Sequence, residues 1–187
     1  MTKILIFNGS PRKKGNTAVL IEECAKAIKK NDCEVEVFSL QNLSIAPCKF
    51  CNWCIKNNAL SCIQKDDMID LYPKLLESDG IILAGPIFWF TISAQMKLFI
   101  DRLYALHGKD GFALTKKKIG SILVYGDSSV ENSGVSNAIG TLNDLIRYMK
   151  SENVGIVHGT AYKIGDAAKN EGLMKEAYKL GETISRN

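Results

Sequence analysis

Histidine is nearly absent. His107 and His158 are the only two in 187 residues, too far apart along the chain to form a metal site by local spacing. No Gly-x-Ser-x-Gly elbow occurs, so a serine hydrolase of that type lacks its nucleophile turn. Proline is scarce, at four residues, and there is no low-complexity tract, internal repeat or linker, which excludes disordered and collagen-like chains. Long apolar runs are missing too: stretches such as Ile81-Ile82-Leu83-Ala84 fall far short of the roughly 20 residues that cross a bilayer. The start of the chain has only Ile4 to Phe7 as a contiguous apolar segment, too little for a signal-peptide core, so a cytoplasmic location with no membrane attachment is expected. Charge of one sign is also lacking. Twenty-four basic and twenty acidic residues leave +4, which can steer small anions but is not the concentrated basic surface of a nucleic-acid binder. Lys116-Lys117-Lys118 reads as a solvated loop.

What remains is an ordinary globular composition, 46% hydrophobic and 24% charged, on a length that fits a single domain over residues 1–187. Ile4 to Phe7 has no alternation, the pattern of a strand covered on both faces. From Thr17 the apolar positions Leu20, Ile21, Cys24, Ala27 and Ile28 fall three and four apart on one helical stripe. The same alternation continues along the chain. Strands are expected near Val35–Phe38, Gly80–Gly85, Ile119–Tyr125 and Val154–Ala161. Helices are expected from Asp66-Asp67 through Leu76, over Ser93–Leu106, Val135–Met149 and Asp166–Ile184, with loops at Pro86–Thr91 and Gly126–Gly134. Five strands separated by helices predict an α/β fold with a parallel sheet and right-handed crossovers. Ligands of such sheets lie at the carboxyl ends of the strands, so the loops after the first, third and fourth strands are the ones to search.

The first of these loops is Gly9-Ser10-Pro11-Arg12-Lys13-Lys14-Gly15-Asn16-Thr17. Backbone N–H groups and a helix N-terminus converge there, which suits an anion. Ser10, Asn16 and Thr17 add short side-chain donors, and Arg12 adds a fork suited to phosphate. The string is neither a Walker loop nor a Gly-x-Gly-x-x-Gly fingerprint. It resembles the opening of the flavodoxin-like NAD(P)H-dependent FMN reductase family, Gly-Ser-Pro-Arg-x-x-Gly-Asn-Thr. The resemblance continues through Gly85-Pro86-Ile87-Phe88-Trp89-Phe90 and Lys97-x-x-x-Asp101-Arg102, and covers about residues 1–105. It implies a three-layer fold with strand order 2-1-3-4-5, FMN as cofactor and NAD(P)H as co-substrate. It also implies that Pro86, Ile87, Phe88, Trp89 and Phe90 wall the flavin ring and that Gly126 and Asp127 touch it from the third loop. Phe88 stands where the family usually has Tyr, keeping the apolar wall and losing a hydroxyl.

Cysteine is the residue with an uneven distribution. Four of the six lie within fifteen residues, in a cysteine-rich loop at 45–65, as Cys48-x2-Cys51-x2-Cys54-x7-Cys62. Three thiols two residues apart with a fourth farther on suit a cubane iron–sulfur cluster. Thiols without metal, zinc or disulfides are the alternatives. The spacing also resembles the iron–sulfur flavoproteins, which implies a [4Fe–4S] cluster on Cys48, Cys51, Cys54 and Cys62 and a homodimer. Phe50 and Trp53, aromatics in a polar loop with no evident core to enter, point to the same dimer, with this loop near the other subunit's flavin. Cys24 lies on the helical core stripe, and Cys33 has no partner by spacing.

The sequence therefore predicts an FMN-dependent oxidoreductase. Electrons would pass from NADH or NADPH to a small acceptor such as a flavin, a quinone or a nitro compound, with no side chain acting as acid or base because the flavin carries the chemistry. One alternative is an electron carrier using flavin and cluster with ferredoxin-like partners. A second is a non-enzymatic zinc-binding module.

Overall fold

The computed structural model describes residues 1–186. In chain order, the first half comprises β1 (Lys3–Asn8), α1 (Asn16–Lys30), β2 (Glu34–Ser39), α2 (Trp53–Lys56), α3 (Met68–Glu77), β3 (Gly80–Phe88), β4 (Thr91–Ile92) and α4 (Ala94–Arg102). After it come β5 (His107–Gly108), β6 (Gly111–Phe112), β7 (Lys118–Tyr125), α5 (Val130–Ser133), α6 (Val135–Met149), β8 (Glu152–Thr160), α7 (Asp166–Lys169) and α8 (Glu171–Ser185).

Ile4, Leu5, Ile6 and Phe7 of β1 are all completely buried. Neighbouring side chains of a strand point to opposite faces, so this requires cover on both sides of the sheet. Leu5 and Phe7 join Leu83 and Leu123 in one core, closed by α3, α4 and α6; Ile4 and Ile6 join Ile82 and Ile122 in another, closed by α1 and α8. Burying each such side chain contributes about 1.5–3 kcal/mol. The main sheet runs β2-β1-β3-β7-β8, all parallel, which is the expected 2-1-3-4-5 order once the short hairpin strands are set aside.

Four places differ from the sequence reading, the first being the expected loop Gly126–Gly134, where the Ser129 side chain accepts from Asn132 N–H and starts the short helix α5. β3 continues past Gly85 through Phe88, with Pro86 opposite Val124. Ala84 faces β1, accepting from Gly9 N–H at 2.7 Å, so two residues later the missing N–H of Pro86 also faces that side, beyond the end of β1, and no ladder bond is lost. The chain then reverses through Trp89 and Phe90, at φ 45° and 66°, into antiparallel β4. A two-residue hairpin with both turn residues left-handed usually takes Asn-Gly; a Trp-Phe pair there is a strained choice. The helix expected over Ser93–Leu106 is α4 followed by a 3₁₀ turn at Leu103–Leu106, with Ser93 as its cap. The last expected helix is split, because the Asn170 side chain accepts from Leu173 N–H at 3.0 Å and starts α8 anew.

Lys117 corrects the solvated-loop reading of its basic run. Its ammonium donates to the carbonyls of Leu76 and Ser78 at the end of α3, where the helix dipole favours a cation, and burial lowers its pKa.

The strained turn is held from α6. Asn137 Nδ2 donates to Phe90 O at 3.2 Å, and a Cβ on Gly134, at φ 75°, would lie 2.3 Å from Phe90 Cα. Gly134→Ala is expected to destabilise the fold by more than about 1 kcal/mol, read as a lower urea midpoint. An unchanged midpoint would show that the turn is not braced by α6.

Candidate functional site

The loop between β1 and α1 is shaped by its own short side chains. Asn8 Oδ1 accepts from Ser10 N–H at 2.9 Å, and Ser10 Oγ accepts from Arg12 N–H at 3.2 Å. Ser93 Oγ donates to Gly9 O at 2.8 Å, and a Cβ on Gly9 would lie 2.8 Å from that same oxygen, so only glycine permits this approach. The result leaves the N–H groups of Lys13, Lys14, Asn16 and Thr17 without a protein acceptor among the described residues. The Arg12 guanidinium and the Thr17 hydroxyl are likewise unpaired there. Unsatisfied amides at the start of a fifteen-residue helix form an anion site.

Asn16 requires a correction to the list of side-chain donors. Its Nδ2 donates to Ala161 O at 3.0 Å and Lys163 O at 2.9 Å, and its Oδ1 accepts from Gly165 and Ala167 N–H at 3.1 and 3.2 Å. The side chain is fully committed to structure, and only its backbone N–H remains for a ligand.

Of this loop, Ser10, Arg12, Gly15, Asn16 and Thr17 open onto a cleft of about 310 Å³ at the carboxyl edge of the sheet, within the usual size of small-molecule sites. Ser10, Arg12, Asn16 and Thr17 border it on one side, and Pro86, Ile87 and Phe88 on the other. Trp89 and Phe90 do not line it, because β3 runs on and places them in the hairpin turn; Trp89 is 91% exposed. Gly126 borders the cleft, whereas Asp127 does not: its Oδ1 accepts from Ser129 N–H at 2.9 Å and its carbonyl from the Thr160 hydroxyl at 2.8 Å. Tyr125, Ala161 and Tyr162 also line the cleft. The last two follow the fifth main strand, whose loop the sequence reading did not search. Tyr125 OH lies 3.4 Å from His158 Nδ1, and His107 stacks edge-on against Phe112.

The cysteine loop sits apart from this cleft. Cys48, Cys51, Cys54 and Cys62 all line one cavity with Arg102 and Tyr104. All six cysteines are free thiols, and burial raises the pKa of Cys54 and pushes that of Cys24, in the core, up to about 12. Among the described residues no group of three or more His, Cys, Asp or Glu side chains gathers as a single metal ion requires. A cubane is a wider guest whose corners face separate thiolates, and the donor set suits it. The space between the thiols is about 20 Å³, room for about one water, so such a guest requires the lining of the cavity to open. Phe50 leans on Tyr104 with ring centroids 5.6 Å apart, while Trp53, contrary to the sequence expectation, packs against the main core.

Asp66 and Arg102 close this loop. Read from sequence, Asp66 is a helix cap, and its Oδ1 does accept from Met68 N–H at 3.2 Å. Its main partner is Arg102, bound through two nitrogens at 2.5 and 3.1 Å, with side-chain exposures of 9% and 1%. Asp66 also accepts from Ala46 N–H at 3.0 Å and Arg102 donates to Ala46 O at 2.9 Å, so entry and exit of the loop meet on one ion pair. Burial would raise the Asp66 pKa, but the hydrogen bonds from Arg102 and Ala46 outweigh it and hold the carboxyl below its usual range. No spacing rule joins residues thirty-six apart, which is why the pair escaped the sequence reading.

A flavodoxin-type parallel sheet with an anion-binding helix start and an apolar wall at its carboxyl edge defines a flavodoxin-like oxidoreductase. The chain belongs to the NADPH-dependent FMN reductase family, whose model matches residues 2–152. An iron-sulfur flavoprotein of Methanocaldococcus jannaschii is 32% identical over 191 residues, covering 98% of this chain and 95% of its own length. One of Methanosarcina thermophila is 35% identical over 142 residues, 76% of this chain and 71% of that protein. Among solved structures, RosB with bound 8-demethyl-8-formylriboflavin-5'-phosphate superposes with a TM-score of 0.80 over 99% of this chain and 78% of its own, at 18% identity, a likeness of fold. The protein is thus an FMN-dependent oxidoreductase. No helix among the described residues is long and apolar enough to cross a membrane.

Removing one charge of a buried pair strands the other at about 3–5 kcal/mol, and Asp66→Asn is expected to lower stability at pH 7 by that order. Because the native carboxyl titrates below its unfolded value of about 3.9, the stabilisation is fully present above that pH and is lost as pH falls through the lower native value. Acid denaturation should therefore be steeper in the parent than in Asp66→Asn below about pH 4. Parallel acid limbs would show that Asp66 is not the group held down by Arg102.

Proposed function

We propose that the protein passes electrons from NADH or NADPH to a small acceptor, a flavin, quinone or nitro compound, through FMN held in the cleft. The observation that carries this reading is the set of unpaired donors at the start of α1, facing an apolar wall across the cleft. The phosphate would lie on the Asn16 and Thr17 N–H groups, with the Ser10 and Thr17 hydroxyls and Arg12 completing the cradle. Pro86, Ile87, Phe88 and Gly126 would border the ring. When bound, FMN supplies hydride acceptance from a nicotinamide and electron donation to the acceptor. Pro86 brings no N–H donor to the wall, and the side chains of Ile87 and Phe88 bring no ionisable group, so these residues orient and exclude water without exchanging protons. The exposed Phe50, Phe88, Trp89 and Phe90 favour a homodimer that covers them.

A second reading is supported by the shared cavity of Cys48, Cys51, Cys54 and Cys62 and by the names of the relatives. In it these thiols hold a [4Fe–4S] cluster, which would supply one-electron exchange with a ferredoxin-like partner.

Two measurements test these readings. Arg12→Ala should weaken FMN binding about tenfold or more, since a hydrogen bond from a charged group contributes about 1.5–3 kcal/mol, while riboflavin, lacking the phosphate, binds parent and variant alike. Equal losses for both ligands would sink the phosphate assignment. For the cysteines, anaerobically reconstituted parent should hold four irons per chain and Cys54→Ser fewer, with flavin content unchanged. Full flavin with no iron in the parent would defeat the cluster and leave the reductase reading standing.

A further inference from the structure

Arg102 is among the largest fully buried side chains, and its guanidinium is only partly used. Two of its nitrogens serve Asp66 and Ala46 O. Its Nε–H is buried and has no partner among the described residues. A guanidinium has five N–H donors in a rigid fork, and leaving a buried one unpaired is unfavourable. The stranded donor belongs to a residue that lines the cavity shared by Cys48, Cys51, Cys54 and Cys62.

We propose that Arg102 Nε–H is a donor kept for sulfur: it hydrogen-bonds a cysteine sulfur of the cluster held in this cavity. The inference rests on the four-cysteine reading above and adds a function to a residue otherwise explained by its ion pair. Two physical consequences follow. A donor and a positive charge at a ligand sulfur favour the more negative, reduced cluster, so Arg102 raises its potential. The same bond completes the guanidinium, so a loaded cavity ties the cysteine loop to α4 at the point where the Asp66 pair already closes it.

The test uses full-length protein, reconstituted without oxygen from ferrous iron and sulfide, with its arginines labelled with ¹⁵N. Pulsed paramagnetic resonance of the reduced cluster should show coupling to a single ¹⁵N in the parent. Arg102→Lys keeps a cation for Asp66 and removes Nε–H; in it the ¹⁵N coupling should vanish and the midpoint potential should fall. Because the parent spectrum alone decides whether the contact exists, a variant that fails to fold does not rescue the idea. Parent protein with four irons and no ¹⁵N coupling overturns this proposal alone. Parent protein that takes up no iron overturns it together with the cluster reading. An Arg102→Lys protein with flavin, four irons and an unchanged potential overturns the claim that the donor sets the potential.

Discussion

The amide of Asn16 donates to two carbonyls beyond the last strand and accepts from two N–H groups there, so the start of the first crossover helix and the chain leaving β8 are fixed as one unit. Each such bond contributes only about 0.5–1.5 kcal/mol net, but the group is buried and any unpaired member would be more costly than a paired one is helpful. Farther along the same helix, α8 presses against α1 so closely that a Cβ on Gly181 would lie 2.3 Å from Cys24 O. The orientation of α1 follows from these two contacts, and with it the direction in which its first amides point. Ala161 and Tyr162 reach the cleft because the segment that carries them is held by the same side chain.

Backbone strain is concentrated in the two places where chemistry is proposed. Trp89 and Phe90 adopt left-handed conformations in the turn at the end of the cleft wall, and Phe50, Asn52, Asn58 and Leu60 do so within the cysteine loop. Such conformations in bulky residues persist only when surrounding structure holds them. Gly134 and Asn137 hold the first group, while the Asp66–Arg102 pair and the Tyr104 OH bond to Asn52 Oδ1 at 2.9 Å hold the second.

What could be read from sequence was whatever local pattern determines. Uniform apolarity at Ile4 to Phe7 gives a two-faced strand, the stripe from Leu20 to Ile28 gives α1, and their alternation gives the parallel sheet. The anion-binding loop was equally legible, because it is one contiguous string. What escaped reading depends on contacts across long separations. Asn16 reads as a ligand donor when only its neighbours are considered; its true partners are some 145 residues away. Lys117 reads as solvated until the end of α3 is brought beneath it. The Trp89-Phe90 turn violates turn propensity, so no propensity argument would place it; α6 imposes it.

The same long-range contacts make α4 a strut between the two candidate redox positions. Its cap, Ser93, binds Gly9 in the anion-binding loop, and its last residue, Arg102, binds both ends of the cysteine loop. Nine residues at 1.5 Å of rise separate these attachments by roughly 13 Å along the helix. Neither loop can shift away from the other without breaking the Ser93–Gly9 bond or the buried ion pair. The separation between the cleft and the four thiols is therefore set by helix length, which is insensitive to sequence along its exposed face. The Lys97–Asp101 ion pair on that face, at 2.6 Å and with both partners about half exposed, contributes little to holding it. The constraint lies in the two buried ends.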